Sequence, residues 1–373
     1  MTAVRAAPRA SRLPRADPRA ALPLAVSIAV VAVAIGISLV VVQLAGHSLS
    51  ASANALVSGA FGNSQAWAGT LEVTVPLVLI GLAWILATSA RQVNLGLEGQ
   101  ILAGGICATV VGIYAPSLPQ AVHLPLAILA GAAGGALYAA LPAMLSLRRH
   151  VSVILSTFML NFVAVLIVNW LIRGPLQDPT SSSLLQTKPV ALSASWPLLG
   201  TSGLTWDIIF IPLAVVLMVF VQRRTTIGFR LRLINANEDA ARHAGVRTER
   251  VGALALMASG AIAGVVGSSL ILASAGGVMT DDFSSNYGFI GIAVALVARN
   301  SPVGCVAAGL LFAALQQGGG LMETRVGVPA TLVEVTQGLV IVLLAGTGFL
   351  LARAGSRRRL LSTFNPESAD GAV

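Results

Sequence analysis

LEVTVPLVLIGLAWILATSA, residues 71–90, followed at once by Arg91, decides the fold class of this 373-residue chain. At 1.5 Å per residue that run gives about 30 Å of helix, the thickness of a bilayer's hydrocarbon core. Glu72 is its one charge and sits at the end away from Arg91. Working outward, comparable apolar runs lie at about Leu22–Leu44, Glu98–Tyr114, Leu124–Leu145, Val151–Ile172, Asp207–Val221, Val251–Ala273, Tyr287–Ala298, Pro302–Leu315 and Thr331–Leu351. Backbone amides find no water inside lipid, so each run is expected to be helical. The chain therefore reads as all-α, a polytopic membrane protein of about ten transmembrane helices.

The arginines set its orientation. With the N-terminus in the cytoplasm, 20 of the 23 Lys and Arg residues fall in inside loops, and only Arg173, Lys188 and Arg325 fall outside. That is the bias of the positive-inside rule. Both termini are then cytoplasmic, and the expected location is the bacterial inner membrane, crossed many times. Ten spans divide into two five-span halves of opposite orientation, the arrangement of an inverted repeat. A net charge of +9 would point to nucleic acid in a soluble protein. Here the basic residues alternate with apolar spans and lie beside anionic lipid, so the bilayer is the expected partner and nucleic acid is not. The composition, 56% hydrophobic and 10% charged, agrees. Cys107 and Cys305 both fall inside spans, which leaves no disulfide framework.

Residues 1–20, with five arginines among Ala and Pro, read as a disordered cytoplasmic arm. The apolar run from Leu22 is longer than a signal peptide's, so an uncleaved first helix is expected. Residues 21–355 form the membrane domain and 356–373 a polar cytoplasmic tail. Two hydrophilic segments interrupt the spans. The outside one, 173–206, is rich in Pro, Ser and Trp and is either a cap or a long connection; the inside one, 222–250, carries seven arginines. Gly131 with Gly135, and Gly260 with Gly264, have the spacing that lets helix backbones approach closely.

The inside loop contains GFRLRLINANEDAARHAG, residues 228–245. Asn235 is placed to cap a short helix, about Ala236–Ala244, with Glu238 three residues on as in a capping box. Glu238 and Asp239 in the first turn, and Arg242 and His243 in the last, match the helix dipole. Gly245 stands where a left-handed residue would stop the helix. Ala240, Ala241 and Ala244 give it a small-residue face suited to a groove on another protein.

This segment resembles the cytoplasmic coupling helix of ABC importer permeases in the branched-chain amino acid and simple-sugar permease superfamily. Gly228, Arg232, Asn237, Ala240, Ala241, Ala244 and Gly245 match that pattern, while Asn235 stands where the family usually has Gly. VNLGLEGQ, residues 93–100, is similar to a segment of nucleoside importers of the basic membrane protein type, as is FIGIAVALVARNSPVG, residues 289–304. The outside RGPLQDP, residues 173–179, looks like the larger of the two permeases in such importers. The resemblance implies a permease forming the translocation path for nucleosides, with sugars or branched-chain amino acids as alternative cargo. It also implies an ABC ATPase that holds ATP and Mg, a second and shorter permease, and an extracellular substrate-binding lipoprotein.

Polar residues within spans are the candidates for the path. Asn94, Glu98 and Gln100 stand at the inner end of the third span, where Gly96 and Gly99 allow a broken or re-entrant start. Glu98 either faces the path or caps a helix N-terminus. Asn161, midway along the fifth span, faces a cavity or bonds a neighbouring helix. Asn286, Tyr287 and Phe289, at the outer mouth of the eighth span, suit a nucleobase or an interfacial aromatic belt. Glu334 and Gln337 read as interfacial. Lys188, the one lysine, is in no Walker A motif, so ATP is not expected on this chain. His47, His123, His150 and His243 are scattered without ligand spacing, and neither a metal site, a cofactor nor a catalytic residue is expected. A secondary transporter is the rival, and the shortage of intramembrane carboxylates argues against its coupling-ion site.

Overall fold

A computed structural model describes residues 29–343 except 30, 31, 35, 39, 45, 150, 181–184, 275, 330, 333 and 341. The expected N-terminal arm, the C-terminal tail, and parts of the first and last expected spans lie outside the described residues. The described residues between 32 and 44 are helical. A short helix, α1 (Leu49–Phe61), precedes α2 (Ser64–Ser89), whose N-terminus Asn63 caps by accepting from Ala66 N at 2.8 Å. Then come α3 (Leu97–Tyr114), α4 (Gln120–Arg149) and α5 (Val153–Arg173). A 3-10 turn at Trp206–Ile209 leads into α6 (Phe210–Arg224), followed by α7 (Thr226–Ala236) and α8 (Glu238–His243) on the inside. The remaining helices are α9 (Thr248–Leu272), α10 (Tyr287–Val297) and α11 (Pro302–Val326), and helical residues continue at 334–340. Among the described residues there are only isolated β-bridges and no longer strand.

Among the described residues, seven helices are long and apolar enough to cross a membrane, and they include the expected spans from Leu71 to Ala273. Two expectations are corrected. The run expected to end at Leu315 continues to Val326, because Gln316, Gln317 and three glycines interrupt the hydropathy but not the helix. The run expected to span at Tyr287–Ala298 is an 11-residue helix, about 16 Å long, which covers only half the hydrocarbon core.

Two buried helices organise the bundle. α2 places Leu77, Val78, Ile80 and Leu82 at full burial, and α9 crosses it. Gly131 and Gly135 of α4 face Gly260 and Gly264 of α9, and Gly104 of α3 meets the same Gly264. A Cβ at Gly264 would overlap the Gly131 carbonyl, so only glycine permits these three helices to touch by backbone. The outward sides of α4, α5 and α6 expose Leu137, Leu166 and Val216, which face lipid instead of a core.

The order α2–α3–α4 (long helix, irregular lead-in, helix beginning at depth, long helix) recurs as α9–α10–α11 with the direction reversed. The halves are also cross-packed: α3 lies against α9, and α10 against α2. Over the outer ends sit the described residues of the segment 173–206, which form a cap and not a loose connection. Ala191 N donates to Gly112 O at 2.9 Å and Trp196 N to Leu272 O at 2.9 Å, roofing α3 and α9 together. Buried His123 pins the roof to α4 through Ser193 Oγ at 2.7 Å.

Candidate substrate path and coupling platform

After α2 the chain turns at Arg91, in the left-handed region at φ +57°, and re-enters the membrane as residues 92–96. Non-helical backbone at depth needs partners, and amide side chains supply them. Asn94, fully buried, donates from Nδ2 to Gln100 Oε1 at 2.9 Å and to Ser259 Oγ at 3.0 Å. Its Oδ1 accepts from Gly96 N at 3.1 Å and Gln100 Nε2 at 3.1 Å. Asn161 holds the same lead-in from α5: Oδ1 accepts from Gly99 N and Nδ2 donates to Leu95 O, both at 2.8 Å. Of the two expectations for Asn161, the bonded one is what the structure places there. Ser259 lies eleven residues into α9, about 16 Å from its inner end, so this knot sits near mid-membrane.

The second lead-in, whose described residues are 273, 274 and 276–286, descends from the roof. Met279 N donates to Thr187 Oγ1 at 3.0 Å, and five residues on, Ser284 has reached α3. There Glu98, 6% exposed, accepts from Ser284 Oγ with Oε1 and from Gly288 N with Oε2 at 2.7 Å. A Cβ at Gly288 would lie 2.5 Å from both Glu98 N and Oε2, so glycine is needed for the contact. The N-termini of α3 and α10 thus converge in mid-membrane, and Glu98 caps the second while standing in the first turn of the first. Both dipoles stabilise its charge.

The sequence placed Glu98 at the inner end of one span and Asn286 at the outer mouth of another; the structure brings the two together. The reason is that the second lead-in reads as a loop outside the lipid, while the re-entrant start that Gly96 and Gly99 allow on the first is held by side chains distant in sequence. Beside this junction lies a cavity of about 370 Å³, lined from α10 by Asn286, Phe289, Ile290 and Ala293, and from α11 by Phe312, Gln316 and Gly319. Glu334 and Gln337 close it from the following helical residues, so Gln337, 5% exposed, is no interfacial residue. Asn286 holds a left-handed backbone at φ +57°, and Phe289 stands edge-on to Phe158 of α5 at 6.5 Å. Tyr287 turns the other way into the central apolar cluster. Asn94, Gln100 and Asn161 support the junction without lining the cavity. Gln316 and Phe312 were missed by sequence reasoning, although two adjacent amides in an apolar run were a visible signal.

On the inside, the helix expected at Ala236–Ala244 is two helices. Asn235 lies within α7, and the cap of α8 is Asn237, whose Oδ1 accepts from Ala240 N at 3.1 Å. The shift follows from Asn237 holding the extended backbone of a cap at ψ 113°. The C-terminus is as expected. Gly245, at φ +82°, donates to Arg242 O and Val246 N to Ala241 O, both at 3.0 Å, which is a Schellman motif. Glu238 and Arg242 pair at 3.2 Å across one turn. Gly228 lets α7 fold back on the Val221 and Gln222 carbonyls at the end of α6. The loop also joins a core: Leu231 seats against Ala90 and Ala255, at the inner ends of α2 and α9, while Ala241 is buried. Arg232, Ala240 and Ala244 remain exposed.

A family profile described as branched-chain amino acid transport system / permease component matches residues 66–345. The chain is 31% identical to the guanosine ABC transporter permease protein NupP of Bacillus subtilis, covering 83% of this chain and 89% of that one. It is 30% identical to the nucleoside ABC transporter permease protein NupB of Lactococcus lactis, covering 78% and 82%. It is 37% identical to the glucose ABC transporter permease protein TsgB13 of Haloferax volcanii, covering 74% of each.

Proposed function

Because the chain belongs to the branched-chain amino acid transport system permease component family, we propose that it forms the translocation path of an ATP-driven importer and that its cargo is a nucleoside. One observation carries the choice of cargo: Glu98 already occupies the amide end of α10, beside the cavity. A free helix N-terminus at mid-membrane favours an anionic group on the substrate. Here that position is filled, the lining has carboxamides, phenyl rings and the Glu334 carboxylate, and it has no cation among the described residues. A phosphate or an amino acid's carboxylate would find no cation there and would lie beside the acidic Glu334 and Glu98. An uncharged ligand with a hydrogen-bonding edge and a flat face suits the site, the edge for the amides and the face for Phe289. The names of two relatives, for guanosine and nucleosides, support this reading. The glucose permease relative supports a second one, a sugar, which is also uncharged.

In this proposal the chain hydrolyses nothing. ATP and Mg belong to a partner ATPase that grips the exposed Ala240–Ala244 side of α8. A second, shorter permease completes the path, and an external lipoprotein delivers the cargo to the roof. Because α7 is seated on the inner ends of α2 and α9 and α8 packs on α7 and α9, a push on α8 is passed to those helices. α10 and α3 pack on these same helices, so the junction at Glu98 feels the motion. The test is uptake of labelled guanosine, uridine, glucose and leucine in cells lacking the gene, with and without its restoration. Loss and rescue of nucleoside uptake alone is expected. Loss and rescue of glucose uptake alone selects the second reading, and leucine alone refutes the argument from charge.

A further inference from the structure

We propose that Gln316 is the residue that reads the nucleobase, acting with Gln337 across the cavity. This rests on the nucleoside reading above. Gln316 Oε1 is buried with no hydrogen-bond partner among the described residues. Buried polar atoms in native proteins are nearly always paired, and each exception needs a cause, of which a partner arriving from outside is one. Gln337 is nearly as idle: Nε2 reaches Phe312 O at 3.5 Å, the outer limit of a hydrogen bond. Two under-used carboxamides thus flank one cavity, with Asn286 and Phe289 on its third side. A carboxamide offers a donor and an acceptor side by side, the complement of a base edge.

Position adds a second observation. Gln316 also lines a separate outer cavity of about 620 Å³, whose polar wall includes Asn63, Gln317, Thr324 and Arg325. It stands fourteen residues into α11, about 21 Å from the inner end, with Arg325 at the outer end. Cargo entering from outside through the polar vestibule therefore meets Gln316 before it reaches Phe289. The side chain is a selecting contact on the path and not an ornament of one pocket.

The experiment uses the full transporter, comparing wild type with Gln316→Met, which keeps the volume and removes the amide. Saturation curves for guanosine, uridine and glucose uptake are recorded beside the thermal denaturation midpoint of the purified complex. The expected result is a KM for nucleosides raised about tenfold, with maximal rate changed far less, since one hydrogen bond to the base is lost. Thermal stability should stay level or rise, because the substitution removes an unpaired polar atom. If wild type takes up nucleosides and Gln316→Met does so with the same KM, the inference is overturned while the nucleoside reading stands. If uptake and thermal stability fall together, Gln316 is structural and the inference is again overturned. Wild type moving glucose and no nucleoside would overturn the cargo reading and the base-reading role with it. Gln337→Met, measured in parallel, should raise KM in the same direction.

Discussion

Replacing Glu98 by alanine removes the acceptor for two donors at once, Ser284 Oγ and Gly288 N. Hydrogen bonds to a charged group contribute about 1.5–3 kcal/mol each, which bounds the gross loss at about 3–6 kcal/mol. The carboxylate's own burial costs several kcal/mol and disappears with it, offsetting part of that loss. Against the offset, two donors are left buried and unpaired, at about 1–3 kcal/mol each. The net is about 3 kcal/mol against the arrangement in which the two lead-ins meet. A conformational equilibrium biased by that amount shifts roughly 150-fold, so nucleoside uptake should fall by more than about tenfold. Glu98→Gln keeps one acceptor but turns an NH2 toward the second donor, and should lose about 1–2 kcal/mol. The assay is substrate-stimulated ATP hydrolysis and uptake by the reconstituted transporter, with thermal denaturation alongside. Glu98→Ala matching wild type in uptake, stimulation and denaturation midpoint would refute the reasoning, since two buried donors cannot lose their acceptor without cost.

Four other substitutions test separate parts of the structure. Ala240→Arg, on the exposed side of α8, should abolish uptake and ATPase stimulation with the protein still expressed, whereas Ala241→Arg, at a buried position, should remove the folded protein, as membrane-fraction immunoblots would read. Gly264→Leu forces apart the α4–α9 contact and should destabilise by about 3 kcal/mol or more, measured as a lower denaturation midpoint. Outside the membrane, the Thr180 hydroxyl and then its amide, at 2.7 and 2.9 Å, hold the Asp178 carboxyl below its ordinary value. A carboxyl depressed in the folded state adds stability that is full above the unfolded value near about 4 and is lost as pH falls through the folded value. Asp178→Asn should therefore narrow the gap between acid and neutral denaturation midpoints of the roof segment, and an unchanged pH profile would count against it.

Hydropathy and arginine placement were enough for the long helices, because a span of twenty apolar residues has no other stable home. The glycine pairs were legible for the same kind of reason: Gly131, Gly135, Gly260 and Gly264 have no use at that spacing except close approach, and they meet each other. The α8 helix was nearly right, misplaced by two residues at its cap, since Asn235 and Asn237 both cap well and only backbone geometry separates them. What could not be read was depth. The described residues of 273–286 are polar enough to pass for a loop, and although Gly96 and Gly99 allow a re-entrant start before α3, nothing local reveals which partners Asn94, Asn161 and Glu98 find there. Gln316 was hidden differently, by ending a hydropathy window that the helix itself ignores. Gln337 was assigned to the surface because its exposure depends on α11, which the sequence had cut short.

The cross-packing of the two halves has a consequence for how the chain is made. Asn94 finds Ser259 only 165 residues later, and Glu98 finds Gly288 after 190. At about 5–20 residues per second, the first of these waits lasts roughly ten to thirty seconds. Through that interval α3 has no α9 to lie on, and its polar lead-in must be sheltered by the insertion machinery or by water. The fifth helix can relieve part of this through Asn161, which is synthesised soon after and bonds the lead-in without help from the second half. A ribosome stalled before Ser259 therefore leaves a half-built membrane domain with buried polar backbone and one carboxylate unmatched, the kind of nascent chain that membrane proteases remove.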